Sequence, residues 1–145
     1  MNSLIKSIVS TNAGVGLAVL RITTGLTFMA HGSQKLFGLF GGPGLSGMAQ
    51  WLESLGVTPG YLMATLAGSA EFFGGLALVL GLLVRLASIP LIVAMLVAVF
   101  SVHLANGFFI TENGFEYAFT LIMISVALLI SGAGPFSLDR KLSRL

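Results

Sequence analysis

Glu71 is the one ionisable side chain in an otherwise apolar run, YLMATLAGSAEFFGGLALVLGLLV, at residues 61–84. A carboxylate near the middle of such a run costs roughly 2.5–3.5 kcal/mol to place in a bilayer on insertion scales, and groups at that depth mark proton paths, ligand sites or ion pairs. Six residues carry the chemistry that this chain offers. Glu71 and Arg21 form a prospective catalytic pair, and His31, Lys35, His103 and Glu116 form a prospective ligand-binding group. Carboxylates and imidazoles move protons, and imidazole and ammonium groups donate hydrogen bonds to a ligand carbonyl. The residue types thus point to proton handling or to a polar-headed ligand such as a quinone.

Helices must bring these residues together. At about 100° per residue, Arg21, Gly25, Phe28, Gly32 and Lys35 share one stripe of the first helix, and His31 stands roughly 80° from its centre. The stripe through Glu71 holds Ala64, Ala67, Gly68, Gly74, Gly75, Leu78 and Arg85. Small residues around a carboxylate let helix backbones approach and keep the polar group off the lipid, so Glu71 is expected to point inward. Arg21 sits roughly 10 Å from the inner end of its helix and Glu71 roughly 18 Å from the inner end of its own. An extended arginine covers much of that difference, which predicts an Arg21–Glu71 ion pair. Such a pair either fixes helix register or works as a proton or ligand site, and the sequence weighs these evenly.

His31, Lys35, His103 and Glu116 fall in the outer third of their helices. For the histidines, interhelical hydrogen bonding competes with quinone hydrogen bonding, and bis-histidine haem ligation is the weaker reading, since two residues make a thin signal. No metal site is expected. Lys35 is expected to snorkel to the outer headgroups. Phenylalanines, among them Phe28, Phe72, Phe108 and Phe115, wall the same region and read equally as pocket lining or as lipid-facing filler.

Four membrane spans are readable, at about 14–40, 61–84, 86–104 and 115–131. Pro90 is expected in the first turns of the third, where its missing N–H is tolerated. Lys6, Arg85, Arg140, Lys141 and Arg144 fall on one side if four spans alternate, which places both termini in the cytoplasm. The loop at 41–60 carries Leu45, Met48, Leu52 and Leu55 at helical spacing beside Trp51. That pattern predicts a short amphipathic helix on the outer surface, as an interfacial anchor or a lid. Ser137 is placed to cap a short basic helix in the tail, on the inner leaflet.

Composition excludes a water-soluble domain. Of 145 residues, 56% are hydrophobic and only 8% charged, and mean hydropathy is +1.01. Soluble domains carry about 25% charged residues. The class is an all-α membrane protein, one four-helix transmembrane bundle embedded in the lipid bilayer. Net charge is +2, but seven scattered basic residues make no patch for nucleic acid. There is no cysteine, so thiol chemistry and cysteine-ligated clusters are excluded within the chain. The N-terminal stretch does not read as a cleavable signal peptide, because its apolar run is too long and includes Arg21.

Arg21 with HGSQKLFG (31–38), AEFFGGLALVLGLLVRLAS (70–88), His103, Glu116 and GAGPFSLD (132–139) together resemble the DoxX family of small bacterial membrane proteins. The resemblance spans Arg21 to Asp139 and implies four transmembrane helices in the bacterial inner (cytoplasmic) membrane. It also implies a tie to membrane redox systems, since relatives include a quinone-reducing subunit type of thiosulfate oxidation and subunits of redox-stress assemblies. Some distant relatives act as membrane chaperones. Two functions follow. One is a quinone-linked redox subunit, needing a partner redox protein or bound cofactor to supply electrons, with Glu71 and the outer group handling protons. The other is a non-catalytic assembly or stress-protection scaffold whose buried charges set helix packing. Small-residue faces also suit a homo-oligomer.

Overall fold

The computed structural model describes residues 13–143. Lys6, Arg144 and most of the N-terminal stretch lie outside the described residues. Among those described, every regular element is helical: α1 (Ala13–Phe37), α2 (Gly44–Ser54), α3 (Gly60–Leu80), α4 (Val84–Ala98), α5 (Glu116–Ser131) and α6 (Leu138–Leu142). A wide π turn, Val99–His103, and a 3-10 turn, Leu104–Asn106, prolong α4. Three helical stretches are long and apolar enough to cross a membrane: Gly14–Phe37, Gly60–Leu80 and Val84–Asn106. The apolar α5 has 16 residues, about 24 Å, against the roughly 30 Å of a hydrocarbon core.

Element ends differ from the sequence pattern where backbone chemistry intervenes. The first helix stops at Phe37 because Gly38 adopts φ 68°, and Phe40 at φ 53° turns the chain again. The second run, apolar through residue 84, breaks at Gly81, which takes φ 66°. There Leu82 N–H donates to Ala77 O (2.9 Å) and Gly81 N–H to Leu78 O (3.1 Å), the two bonds of a Schellman stop. The next helix therefore starts early, at Val84. Pro90 then falls in its second turn, past the helix start where N–H groups are free, so Leu86 O loses its usual i+4 donor.

The bundle is built from pairs. α1 runs antiparallel to α3, α4 packs on α3 and α5, and α2 lies on α3. α1 and α5 touch only sparsely. The α1–α3 contact is as close as backbones allow: a Cβ on Gly75 would stand 2.6 Å from Gly25 O, and one on Gly32 only 2.4 Å from Phe72 N. The core runs through Phe28, Leu78, Leu91, Met95, Leu121 and Leu128. Outward, Leu66, Phe73, Leu86, Phe100 and Ile130 are exposed along the helices. A soluble surface would not tolerate so continuous an apolar exterior, whereas a bilayer requires it. The chain is a membrane protein. α2 presses Met48, Ala49 and Leu52 against Ala64 of α3. Two ends can be told apart: the loop end, holding residues 38–59 and 104–115, and the tail end, holding residues 81–83 and 132–142.

Candidate functional site

Glu71 points into the bundle, as its small neighbours require, and is 2% exposed. Its partner is not Arg21. Lys35 forms the ion pair with Glu71 Oε2, with its own side chain 20% exposed. The reason lies in side-chain direction. In a helix Cα–Cβ bonds lean toward the N-terminus. α1 starts at the tail end, so Lys35 leans back toward the middle of the bundle; α3 starts at the loop end, so Glu71 leans toward Lys35. Arg21 leans the other way, to the tail end. The same geometry overturns the expected snorkelling of Lys35 toward the loop-end surface.

A cavity of about 150 Å³ opens beside this pair, walled by Phe28, Met95, Ala98 and Leu121. His31, Lys35, Glu71, His103 and Tyr117 supply its polar lining. Phe28, His31 and Lys35 stand at i, i+3 and i+7 of α1, which is one helical face. Ala98 and His103 share the lining because the π turn bonds i to i+5 and so stacks residues five apart. His103 Nδ1 lies 2.8 Å from Asn113 O. A carbonyl only accepts, so Nδ1 carries the hydrogen and Nε2 is the nitrogen left for the cavity. The rings of His31 and Tyr117 lie 6.2 Å apart at 53°, where α1 and α5 are least packed. Both residues are exposed there, so the cavity's polar rim reaches the lipid-facing side. Ile110 and Gly114 border the cavity at the loop end, where Phe108 stacks edge-on against Phe109 and Phe115.

Arg21 does different work. It is wholly buried, and its guanidinium gathers backbone carbonyls from two segments. Nη1 donates to Leu78 O and to Val79 O (3.1 Å), the last carbonyls of α3, where the helix dipole favours a cation. Nη2 donates to Phe136 O (2.9 Å) and Pro135 O (3.3 Å) of the tail. The charge of Asp139 also acts on it. Asp139 in turn caps α4: its oxygens accept from Leu83 N–H (2.7 Å) and Val84 N–H (3.0 Å), and its own N–H donates to Gly81 O (2.9 Å). Gly81 permits this closeness, since a Cβ there would meet Ser137 Cβ at 2.4 Å and Arg21 Nη1 at 2.7 Å. Ser137 caps α6 as its sequence suggests, accepting from Arg140 N–H at 3.2 Å.

Of the six sequence-derived residues, the cavity collects Glu71, Lys35, His31 and His103, and leaves Arg21 at the tail end. Glu116 opens α5, a position where the helix dipole favours a carboxylate, and it is half-buried outside the cavity lining. Its neighbour Tyr117 is the residue that sequence reasoning missed. The small Ala118 and Ser125 mark the inward face of α5, and Tyr117 flanks that face one position from Ala118.

A family model described as DoxX matches residues 16–104. The chain is 34% identical over 132 residues to an uncharacterized protein of Haemophilus influenzae, covering 86% of this chain and 89% of that one. It is 30% identical to the inner membrane protein YqjF of Escherichia coli, over 90% of this chain and 94% of that one. It is also 27% identical to the Bacillus subtilis protein named "Putative oxidoreductase CatD", over 86% of this chain and 85% of that one. No solved structure matches.

Proposed function

The chain belongs to the DoxX family, and on that premise we propose that it is a multi-pass inner-membrane subunit of a quinone-linked redox system. The Lys35–Glu71 cavity is its proton-handling ligand site. One observation carries the reading: a nearly inaccessible carboxylate, paired with a lysine, borders a cavity whose other polar groups are two histidines and a tyrosine. A pair meant only to hold helices together has no use for such a cavity.

The names of YqjF and CatD support the membrane and the oxidoreductase class. In the bilayer, α5 serves as the fourth span, its short length met by local thinning. The basic residues at 85, 140 and 141 set the tail end, and with it both termini, in the cytoplasm. The residues fit a quinone head. A cavity of about 150 Å³ suits one six-membered ring, as protein cavities of roughly that volume take up benzene. A bound quinone accepts two electrons and two protons, the electrons coming from a partner redox protein or its cofactor. The Tyr117 hydroxyl would donate to one carbonyl oxygen, and His103 could donate to the other from Nε2 only as the imidazolium, since Nδ1–H is committed to Asn113 O. Glu71 stores a proton, and Lys35 balances the carboxylate's charge until that proton arrives. His31, in the cavity lining, and Glu116, at the loop-end start of α5, pass protons between the cavity and the outer water. Arg21, with both Nη groups donated to carbonyls, holds helix ends and takes no part in the transfer.

Lipid extracts of the purified protein test this. Wild type is expected to retain quinone, and Glu71→Gln to retain it while membranes lose quinone reduction by at least about tenfold. Quinone-free wild type, together with full function in Glu71→Gln, overturns the reading in favour of a non-catalytic scaffold. The Arg21 network is the observation that favours that second reading.

A further inference from the structure

A second cavity, of about 610 Å³, lies at the tail end, far along the bundle from the Glu71 site. Two guanidiniums from distant parts of the chain border it: Arg85, in the first turn of α4, and Arg140, in α6. The floor is the Gly132–Pro135 turn that ends α5. Gly132 makes room for Arg85, since a Cβ there would sit 3.3 Å from Arg85 Nε. Neither guanidinium forms a hydrogen bond or ion pair among the described residues. One carboxylate, Asp139, borders the cavity; it pairs with neither guanidinium, its oxygens accept from Leu83 and Val84 N–H, and against its one negative charge the two positive ones are in excess. The lining therefore carries a net positive charge, with both guanidiniums unpaired among the described residues. Its mouth is greasy: Leu83 and Leu86 are 55% and 62% exposed beside it, and Phe136 stands 77% exposed on the same turn.

We propose that this cavity binds the phosphodiester of an anionic phospholipid, with Arg85 and Arg140 on the phosphate and the acyl chains along Leu83 and Leu86. Guanidinium is the side chain suited to this, since its planar fork presents paired donors to phosphate oxygens. Basic pockets between helix ends recur as headgroup sites in membrane proteins. Free phosphate has the same charge chemistry but nothing to place on the apolar mouth. The bound lipid would tie the start of α4 to the tail helix, on the outside of the turn that Arg21 and Asp139 secure from within. None of this depends on the quinone reading.

The test is native mass spectrometry of the full chain released from detergent, titrated with phosphatidylglycerol, phosphatidylcholine or inorganic phosphate. Wild type is expected to retain phosphatidylglycerol in preference to phosphatidylcholine and to show no adduct with phosphate. Each of Arg85→Gln and Arg140→Gln is expected to weaken phosphatidylglycerol binding about fivefold, the size of one basic contact at a membrane surface. Lys141→Gln, which removes the same charge next to the cavity without lining it, is expected to change binding less than about twofold. Thermal unfolding of each variant without lipid, expected at the wild-type temperature, confirms that the exposed substitutions leave the fold intact. Equal retention of phosphatidylcholine, an equal loss in Lys141→Gln, or a phosphate adduct of comparable strength overturns the proposal. The first two mean a diffuse basic surface, and the third means a site for a free anion.

Discussion

The molecule buries charge twice, at Arg21 and at Glu71, and treats the two in opposite ways. At the tail end, Arg21 faces fixed acceptors: four backbone carbonyls from the end of α3 and from the tail, none of which can titrate. Toward the loop end, Glu71 faces one lysine and a cavity bordered by two histidines and a tyrosine, all groups that can gain or lose a proton. A charge satisfied by backbone is committed to one geometry and one protonation state. A charge satisfied by another titratable side chain beside open volume is free to change. The lesson is that burial alone does not separate structural from functional charges in a membrane; the nature of the partner does.

Substitution should widen this contrast. The largest effect is expected from Arg21→Gln, which strips four carbonyls of a charged donor at a junction of three segments and should cost about 3–5 kcal/mol. Thermal unfolding in detergent reads this out as a drop of about 10 °C or more, and Arg21→Lys, lacking the fork, should recover only part of it. Quinone reduction per folded molecule should stay unchanged in both. Gly75→Ala comes next, at about 1–3 kcal/mol, because the added methyl meets the carbonyl of Gly25 and forces α1 from α3. That change should disturb both regions together, since the same helix pair carries Arg21 and Glu71. Glu71→Gln should cost less, about 1–2 kcal/mol, because the Lys35 side chain is 20% exposed and, once unpaired, can turn outward. Its loss should fall on function. Asp139→Asn should cost about 1 kcal/mol as a weakened cap at α4, visible as faster amide exchange at Leu83 and Val84 with the Glu71 cavity unaffected.

Much of this architecture is legible in the amino-acid sequence. Hydropathy marks the three helical stretches long and apolar enough to cross a membrane, and glycine and alanine spacing aims Glu71 inward. Gly68, Gly74, Gly75 and Leu78 of the expected stripe are all buried. Helix ends are less legible, because residues 61–84 stay apolar through Gly81, whose φ of 66° ends α3. The expected Arg21–Glu71 pair fails because depth along a helix, counted at Cα, leaves out the lean of the side chains, and that lean reverses the outcome. His103 reaches the cavity through a π turn, a local widening that periodicity assumes away. The carbonyl cage around Arg21 is invisible in sequence, since backbone acceptors carry no residue-type signal.

The central claim, that the Lys35–Glu71 cavity receives a ring-sized quinone head, is tested most directly by filling it. Ala98 borders the cavity, and Ala98→Phe places a ring in the volume a ligand would take. Equilibrium binding of a short-tailed quinone to the purified protein in lipid nanodiscs should be clear in wild type and in Arg21→Lys, and absent in Ala98→Phe at an unchanged unfolding temperature. Quinone binding of wild-type strength in a folded Ala98→Phe protein would contradict the claim and place the ligand elsewhere.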